Sequence, residues 1–526
     1  MHIITKLFCF LSLVGLLAGC GGRESVWVEN AAPVGTPASL QYGSFSAGMY
    51  GTPDETHRVA VLLPTSGPSA EIGKTIRTGI EAAAMRFAPT GLQINFYDTG
   101  ATDIVQSIEF ALSESPEVII GPVFAGDARM LRDNKPGRIP ALSFTSDATA
   151  VGNGVFSVAL LPSNTIEAIL QEMSTDDVAP FIIIAPDSGS GQIMAGTAKS
   201  AAAALGIENI GVIYYTERNT DSIKNAAINA SLYTTRSEAS MQAKEILSAI
   251  VNNEYLTREE KESVTKQLDN INRTDTLGNM PYKSILFLGG GDDTKSLVSF
   301  LRYYGVDAKD TKFYGTSMWQ DTSLVSDIAM NGAKFATMPD STEDFTYIHE
   351  SATGAKPSRM AALGYDTMLV AIGGLYSPTG INTYLSNQSG YNGTSGLFRF
   401  RPNGLNERAL QIVKLTGGGQ TVISRPAQTS FMKPLYSGKT SLNQIATPKA
   451  IEQKKINIMD YIDIPERLIK KYGRKNYNEP TESDGLIPIM ILENNPQDFT
   501  ITAEDYKPIP LETVSRTYID SVEVAE

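Results

Sequence analysis

The chain has 526 residues, 42% of them apolar, and a chain of this length and composition buries a large core that is normally divided between domains. Its formal net charge is -13, which argues against a nucleic-acid partner, because binding to a phosphate backbone requires a basic surface. Beyond the N-terminal segment, the sequence contains no apolar run of about eighteen residues that would predict a membrane-spanning helix.

The N-terminal segment has the pattern of an export signal. Lys6 precedes a mostly apolar run, residues 7–17, that is too short to span a bilayer as a mature helix. Directly after it, Leu17-Ala18-Gly19-Cys20 resembles the bacterial lipobox, in which small residues admit the signal peptidase and the thiol accepts a diacylglycerol. We therefore predict a signal peptide over residues 1–19 and a lipid anchor on Cys20. The alternative is an ordinary secretory signal that happens to contain a cysteine.

This anchor would place the mature chain in the periplasm. Gly21 follows the lipidated cysteine, where lipoproteins retained at the inner membrane often have aspartate, so we expect sorting to the outer membrane of a Gram-negative cell. Residues 20–57 are rich in small residues and proline, which predicts a flexible tether between the membrane and the folded part.

Cysteine and histidine are too scarce for several common kinds of site. Cys9 lies inside the predicted signal, so the mature chain would contain one thiol, and that thiol would be blocked by lipid. Only His57 and His349 remain after the signal is removed. We therefore predict no disulfide, no metal site and no cofactor, and a histidine-based catalytic triad is hard to assemble.

Strand and helix patterns alternate from residue 58 onward. The apolar run Arg58–Pro64 predicts a strand buried on both faces, and Ile72, Ile76 and Ile80 follow at helical spacing. This alternation recurs up to residue 162 and again over residues 181–288, which predicts two α/β lobes, each with a mostly parallel sheet flanked by helices. Within the second lobe, residues 217–283 form a polar, helix-leaning excursion whose charge run Thr257–Glu262 is typical of a solvated helix face.

Several short motifs connect this α/β pattern to a known fold and family. Two such lobes behind a lipid anchor are similar to the type I periplasmic binding fold, and Val61–Ala84 resembles its leucine-binding branch. The motifs of the C-terminal half resemble lipoproteins known as penicillin-binding protein activators: Thr274-Asp275-Thr276-Leu277-Gly278, Tyr303-Tyr304-Gly305-Val306-Asp307, Gly315-Thr316-Ser317-Met318-Trp319, Ala361-Ala362-Leu363-Gly364-Tyr365-Asp366 and Gly396-Leu397-Phe398-Arg399-Phe400.

The resemblance covers roughly residues 58–431 and implies a chain that crosses three times between the lobes. It implies that one lobe contains residues 58–162 and about 320–376, and the other 163–319 and about 395–431. Residues 432–526 lie outside the resemblance and are predicted to form a C-terminal extension with an acidic end.

In this fold, ligands lie in the cleft at the carboxyl ends of the strands, where loops and helix N-termini offer amide groups. The corresponding loops predict the following cleft residues: Thr65, Ser66, Val123, Phe124, Ala125, Thr145 and Ser146 in one lobe, and Asp187, Ser188, Tyr215, Gly290, Asp292 and Trp319 in the other. For any single one of these residues, simple turn or helix-cap chemistry is an equally good explanation. Trp319 could stack on a ligand or fill the lobe junction.

Two functions follow from the resemblance. Amino-acid receptors of the leucine-binding branch have small hydroxyl residues after the third strand, whereas this chain has Val123 and the bulky Phe124, and the activator-type family also has an apolar residue there. This favours a non-catalytic envelope protein that binds and regulates a peptidoglycan synthase. The alternative is a solute receptor for amino acids or related small molecules, with an ABC permease as its partner.

An enzyme is the least favoured class. The triple glycine at residues 289–291 lacks the spacing and the lysine of a phosphate-binding loop, and Asp187–Gly191 does not have the arrangement of a nucleophile elbow. We therefore predict no catalytic residues.

Overall fold

In the computed structural model the described residues are 23–27, 56–87, 90–252, 255–320, 322–431, 445–452 and 455–468. The predicted signal peptide, the predicted lipidation site Cys20 and most of the predicted tether lie outside these residues. The strands are β1 (Arg23–Trp27), β2 (His57–Leu63), β3 (Leu92–Asp98), β4 (Val118–Ile120), β5 (Ala141–Ser143), β6 (Val155–Ser157), β7 (Phe181–Pro186), β8 (Asn209–Tyr215), β9 (Ser284–Phe287), β10 (Lys312–Gly315), β11 (Lys334–Thr337), β12 (Tyr391–Gly393), β13 (Gly396–Phe400), β14 (Asn406–Arg408), β15 (Gln411–Leu415) and β16 (Thr421–Arg425).

The helices join these strands in the predicted alternation. They are α1 (Ala70–Phe87), α2 (Ile104–Ser113), α3 (Ala125–Asn134), α4 (Pro162–Thr175), α5 (Gly189–Ala204), α6 (Thr220–Ala230), α7 (Tyr233–Val251), α8 (Arg258–Asn272), α9 (Gly291–Tyr303), α10 (Thr322–Val325), α11 (Glu343–Thr353), α12 (Arg359–Leu375), α13 (Ile381–Leu385) and α14 (Glu466–Leu468). Short 3₁₀ turns lie at Ser317–Gln320, Ile328–Met330 and Ile458–Asp460.

Lobe 1 is built on a six-stranded sheet in the order β1-β3-β2-β4-β5-β6, parallel except for antiparallel β1. Val59 and Val61 of β2 are buried on the face that α1 and α12 cover, whereas Ala60 and Leu62 are buried with residues of α2 and α3. A strand covered on both faces must be apolar at every position, which explains the continuous apolar run.

Lobe 2 is built on a seven-stranded sheet in the order β16-β15-β11-β10-β9-β7-β8. Ile183 and Leu286 face the core that α4 and α5 cover, and Ile184 and Phe287 face the opposite layer, which contains α6 and α9. The predicted fold class, two α/β lobes with mostly parallel sheets between helices, is confirmed.

Two predicted boundaries between the lobes are wrong. The resemblance implies that residues 320–337 belong to lobe 1, but β11 pairs in parallel with β10 and therefore belongs to the sheet of lobe 2. It implies that residues 396–408 belong to lobe 2, but β13 and β14 form, with β12, a separate antiparallel sheet between the lobes. We call this unit, residues 391–408, the crossover sheet. Both errors arise because β11 and β13 are short and are placed by tertiary pairing.

Part of the predicted tether forms a strand. β1 lies only three positions after Cys20 in the sequence and pairs with β3 in antiparallel register, from Arg23 opposite Tyr97 to Trp27 opposite Gln93. It covers the edge that β3 would otherwise present, and exposed sheet edges tend to recruit any strand within reach.

Part of the C-terminal extension packs on lobe 2. We call residues 445–452 and 455–468 the C-terminal strap. Near its start, Lys449 forms a β-bridge with Val212 of the edge strand β8. Further along the strap, Ile458 and Ile462 pack with buried residues of α7 and α8 in a separate small core. Arg467 forms an ion pair with Glu260 at the first turn of α8. The polar excursion therefore contains three helices, of which α7 and α8 form a hairpin that the strap covers, whereas α6 packs on the sheet of lobe 2.

Candidate functional site

The candidate site is the cleft between the lobes, onto which the carboxyl ends of the parallel strands open. At the end of β2, the backbone N–H groups of Thr65 and Ser66 donate to Oδ1 of Asp98, at 2.8 and 3.2 Å. The N–H of Gly100 donates to the same oxygen at 2.9 Å. The amides that a ligand would need in this loop are therefore already occupied by a side chain of the protein.

Asp98 suits this role electrostatically. Burial alone would raise the pKa of its carboxyl group, but the hydrogen bonds from Ser66, Gly100 and Thr65 outweigh burial and hold the pKa below its usual value. Sequence reasoning missed Asp98. The signal that could have revealed it is an acidic residue at the end of the strand beside β2.

The loop after β4 presents an apolar surface. Val123 is half-buried against the core, whereas the ring of Phe124 is 41% exposed. Phe124 is the N-cap residue of α3, which begins at Ala125, and its side chain makes no capping hydrogen bond. Gly121 has a φ of +96° and lies so close to the carbonyl of Leu62 that no side chain would fit there, which fixes the loop beside β2.

Thr145 and Ser146, after β5, have different roles. Thr145 is buried, its carbonyl accepts a hydrogen bond from the Ser157 hydroxyl at 2.6 Å, and its own hydroxyl accepts the N–H of Asp147 at 3.1 Å. Its polar groups therefore stabilise the turn. Ser146 is exposed on the rim of the cleft.

In lobe 2, Asp187 and Ser188 act as turn and cap residues. The N–H of Asp187 donates to the carbonyl of Tyr215 at 2.7 Å, and its carboxylate accepts from Gln192 at 2.8 Å. Ser188 is the N-cap of α5 and accepts the N–H of Gly191. Tyr215 is 2% exposed and belongs to the core of the lobe, where burial raises the pKa of its hydroxyl.

Trp319 fills the core and is not placed to stack on a ligand. Its side chain is 0% exposed, packs 5.6 Å from the ring of Phe287, and donates from Nε1 to the carbonyl of Gly289 at 3.1 Å. Its indole lies against Gly315, where a Cβ would be 2.3 Å from the ring. The neighbouring Met318 is 42% exposed and was not predicted.

The helix N-termini at the cleft carry their own acidic residues. α9 begins after Gly290 without a side-chain cap, and its first turn contains the exposed Asp292 together with Asp293. In the first turn of α3, burial and the nearby charge of Asp103 raise the pKa of Asp127. These carboxyl groups take the positions where helix dipoles favour an anion, so they disfavour the carboxylate of an amino-acid ligand.

Ten of the thirteen predicted cleft residues separate into two groups, and the other three, Val123, Ala125 and Gly290, are half-buried. The loop amides of Thr65 and Ser66 and the side chains of Thr145, Ser188, Tyr215 and Trp319 are engaged within the protein. Phe124, Ser146, Asp187 and Asp292 are exposed. The exposed group forms a mixed apolar and acidic rim.

Three further observations concern the described part of the chain as a whole. A surface cavity of about 540 Å³ lies on lobe 1 at the amino ends of β4 and β5, away from the cleft, between Glu117, Arg138 and Asn382. Within the described ranges no three His, Cys, Asp or Glu side chains are grouped so that they could hold a metal ion. None of the helices described combines the length and apolar character needed to cross a bilayer.

The two lobes and their cleft define the type I periplasmic binding protein fold. Among solved structures, a "putative branched-chain amino acid ABC transporter" from Rhodospirillum rubrum is similar with a TM-score of 0.54 and 15% identity, over 70% of this chain and 100% of that chain. The C-domain of LpoA from Haemophilus influenzae, described as a regulator of PBP1A, has a TM-score of 0.47 and 16% identity, over 70% of this chain and 99% of that chain.

Sequence comparison adds similarity to a family over part of the chain. Residues 52–270 match the model of the family described as "LppC putative lipoprotein". The penicillin-binding protein activator LpoA of Mannheimia succiniciproducens is 26% identical over 170 residues, which are 32% of this chain and 29% of that protein. LpoA of Pasteurella multocida is 27% identical over 139 residues, which are 26% of this chain and 24% of that protein.

The matched regions span less than a third of these curated relatives. The resemblance to penicillin-binding protein activator lipoproteins with a leucine-binding-like domain, which the motifs indicated, is confirmed.

Proposed function

We propose that this protein is a non-catalytic lipoprotein of the bacterial envelope that binds and regulates a peptidoglycan synthase through the rim of its cleft. The observation that supports this most strongly is the engagement of the Thr65 and Ser66 amides by Asp98. A solute receptor needs convergent unpaired donors in its cleft, because a small ligand obtains its specificity from a few placed polar groups.

The exposed side chains of the rim suit a protein partner. Phe124 and Met318 expose 41% and 42% of their surface on opposite sides of the cleft. Aromatic residues and methionine are enriched in protein interfaces, where they fill pockets of the partner. The acidic residues beside them, Asp187 and Asp292, would favour a basic patch on that partner.

A catalytic role finds no support in the residues of the cleft. Nδ1 of His57 lies 3.1 Å from the carboxylate of Glu117, and His349 contacts the hydroxyl of Thr78 at 3.2 Å, both within lobe 1 and away from the cleft loops. The hydroxyl groups of Thr145 and Ser188 serve as turn and cap acceptors. A nucleophile paired with a base is the minimum for the covalent chemistry of a hydrolase.

The anchor follows from the lipobox at Cys20, with Gly21 directing the protein to the outer membrane. Replacing Cys20 by serine should abolish incorporation of a labelled fatty acid into the protein, because the thiol that accepts the diacylglycerol is lost. Equal labelling of the C20S variant and the parent would contradict the anchor without bearing on the partner.

Affinity purification from envelope extracts tests the partner. The full-length lipoprotein, tagged at its C-terminus and solubilised in mild detergent, should recover a penicillin-binding protein identified by mass spectrometry. The Phe124→Ala variant should recover less of it, whereas Phe110→Ala, which alters an exposed phenylalanine on α2 of the same lobe, should recover the parent amount. Recovery of a transporter permease in place of a synthase would overturn the proposal.

A solute receptor is the second candidate, and one observation favours it. The hydroxyl of Thr316 at the carboxyl end of β10 is buried and has no hydrogen-bond partner among the described residues. A bound solute could satisfy it. Thermal unfolding with each of the twenty amino acids at millimolar concentration decides this, because saturation raises the stability by a few kcal/mol, ~2.7 at one hundred times Kd.

A further inference from the structure

Within the described residues, three segments cross between the lobes, and all three meet at the crossover sheet. The first crossover, residues 158–161, joins β6 to α4, and the second, residues 338–342, joins β11 to α11. The third contains the crossover sheet itself, between α13 and β15. In receptors that close on a ligand, such segments are the hinge, and a hinge must change its backbone angles as the lobes rotate.

Two buried side chains of β14 bind the first crossover. The side-chain amide of Asn406 donates to the carbonyls of Ser157 and Ala159, at 2.9 and 2.6 Å. The guanidinium of Arg408 donates to the carbonyl of Val158 and, at 3.1 Å, to the hydroxyl of Ser395. Both side chains are almost completely buried.

The same network reaches the second crossover and lobe 1. Asp366 lies in α12 of lobe 1 and is 1% exposed. Its carboxylate accepts the backbone N–H groups of Thr394 and Ser395, at 2.6 and 2.8 Å, in the turn between β12 and β13. The hydroxyl of Thr394 in turn accepts the N–H of Thr342, in the second crossover, at 3.0 Å.

The crossover sheet is also joined to lobe 2. Asn164 in α4 donates from its side-chain amide to Asn406 at 2.6 Å, between two buried groups. Arg401, in the turn after β13, lies 3.8 Å from the carboxylate of Glu167 in the same helix. The network therefore contacts both lobes and both of the other crossovers.

We propose that the crossover sheet fixes the angle between the lobes, so that the cleft keeps one opening and a partner binds a surface that is already formed. The network does not fit a closing hinge, because rotation would separate Arg408 from Val158 or Asp366 from Ser395. Each separation would leave a charged group buried without its hydrogen bonds, which is among the most unfavourable local states in a folded protein. This inference concerns the lobe angle of the protein alone and does not depend on which partner it binds.

Distance measurements between spin labels on the two rims test this. The sequence contains only Cys9 and Cys20, and both would be lost or blocked in the lipidated protein, so labels can be introduced at Ser146→Cys and Asp292→Cys, two exposed positions on opposite lobes. Pulsed electron paramagnetic resonance on the full-length lipoprotein in detergent should give one narrow distribution of distances between the two labels. A mixture of amino acids, which would close a solute receptor, should leave this distribution unchanged. The protein without the introduced cysteines, treated with the same spin label, must give no dipolar signal.

Two variants and a matched control complete the design. Arg408→Met and the milder Thr342→Val should each broaden the distribution, because the first removes the hydrogen bonds to Val158 and Ser395 and the second removes a hydroxyl that lies 3.0 Å from the hydroxyl of Thr394. Arg236→Met is the control, because Arg236 is also buried and bonded to backbone carbonyls, but entirely within lobe 2. A broad or two-peaked distribution in the doubly labelled protein, without any further substitution, would overturn the proposal. So would Arg408→Met and Thr342→Val distributions that are both as narrow as that of the control.

Discussion

The Asp98 carboxylate at the end of β3 accepts the backbone N–H of Thr65 at 2.8 Å, at the mouth of the neighbouring strand β2. In a parallel sheet the loop after the first strand is the natural place for a ligand's anionic group, because its amides have no partner within the sheet. Here a carboxylate of the protein takes that place. The chain has the fold of a binding protein, but the Asp98 side chain occupies the position after β2 where an anionic group of a ligand would bind.

Replacing Asp98 by alanine should lower the free energy of unfolding by about 1–3 kcal/mol, because the amides of Thr65, Ser66 and Gly100 lose their acceptor. Because the folded pKa of Asp98 lies below 3.8, this contribution is fully present above pH 3.8 and is lost as the pH falls through the folded pKa. Urea unfolding at several pH values measures both effects. Asp292→Ala, at an exposed aspartate, is the control, and equal stability of the two variants would contradict the role of Asp98.

Trp319→Ala should cost about 3–5 kcal/mol of stability, because removing a fully buried indole leaves a cavity in the core of lobe 2. The adjacent Met318→Ala should change stability by less than about 1 kcal/mol, because that side chain is 42% exposed. Chemical unfolding of the two variants is the measurement. Similar small effects for both would mean that Trp319 lies at the surface.

Asp366→Asn should destabilise the protein by about 1–3 kcal/mol at pH 4, because an NH2 group replaces one of the two oxygens that accept the backbone N–H groups of Thr394 and Ser395. Burial raises the pKa of Asp366 from 3.8 to about 6, in spite of its hydrogen bonds to Ser395 and Thr394 and the nearby Arg408. The folded state therefore retains a proton that the unfolded chain releases, and the stability from this proton is complete below pH 3.8 and lost as the pH rises through about 6.

The free energy of unfolding of the parent and of Asp366→Asn is measured between pH 4 and pH 7. The difference between the two proteins isolates the pH dependence that is due to the Asp366 carboxyl group. The difference between parent and variant should shrink as the pH rises through that interval. A difference that grows would show that Asp366 is ionised throughout, with a pKa at or below its usual value.

Much of the fold could be predicted from sequence because the decisive signals are local. The run Val59–Leu63 is apolar at every position, and Ile76 and Ile80 repeat at helical spacing, so β2 and α1 follow from periodicity alone. β11 could not be assigned in this way. Its four residues, Lys334–Thr337, belong to lobe 2 because they pair with β10. This pairing is a tertiary contact that the local sequence pattern does not reveal.

Sequence places the loops of the candidate site but not the roles of their residues. Phe124 is the departure from amino-acid receptors that the sequence predicts in the loop after β4, and it is exposed at the N-terminus of α3. The alternatives for Trp319 were open because burial depends on the whole lobe. Asp98 and Asn406 were missed because their partners, Thr65 and Ala159, are far away in sequence and supply only backbone groups.

The C-terminal strap offers a test that compares two truncations. A chain ending at residue 444 should expose the groove between α7 and α8 that Ile458, Ile462 and Leu468 fill, and each such side chain contributes about 1.5–3 kcal/mol when fully buried. A chain ending at residue 468 retains all these contacts and should keep the melting temperature of the parent. Thermal unfolding and binding of a hydrophobic dye distinguish the two. Equal melting temperatures would contradict a stabilising role for the strap.

Binding of the purified lipoprotein to a purified peptidoglycan synthase of the same cell tests the central claim most directly. Titration by surface plasmon resonance or interferometry should give saturable binding. Phe124→Ala should weaken that binding by at least about tenfold, or about 1.4 kcal/mol, as expected for an aromatic residue at the centre of an interface. Phe110→Ala should bind like the parent. Absence of saturable binding to any synthase of that cell, with the protein folded, would contradict the account.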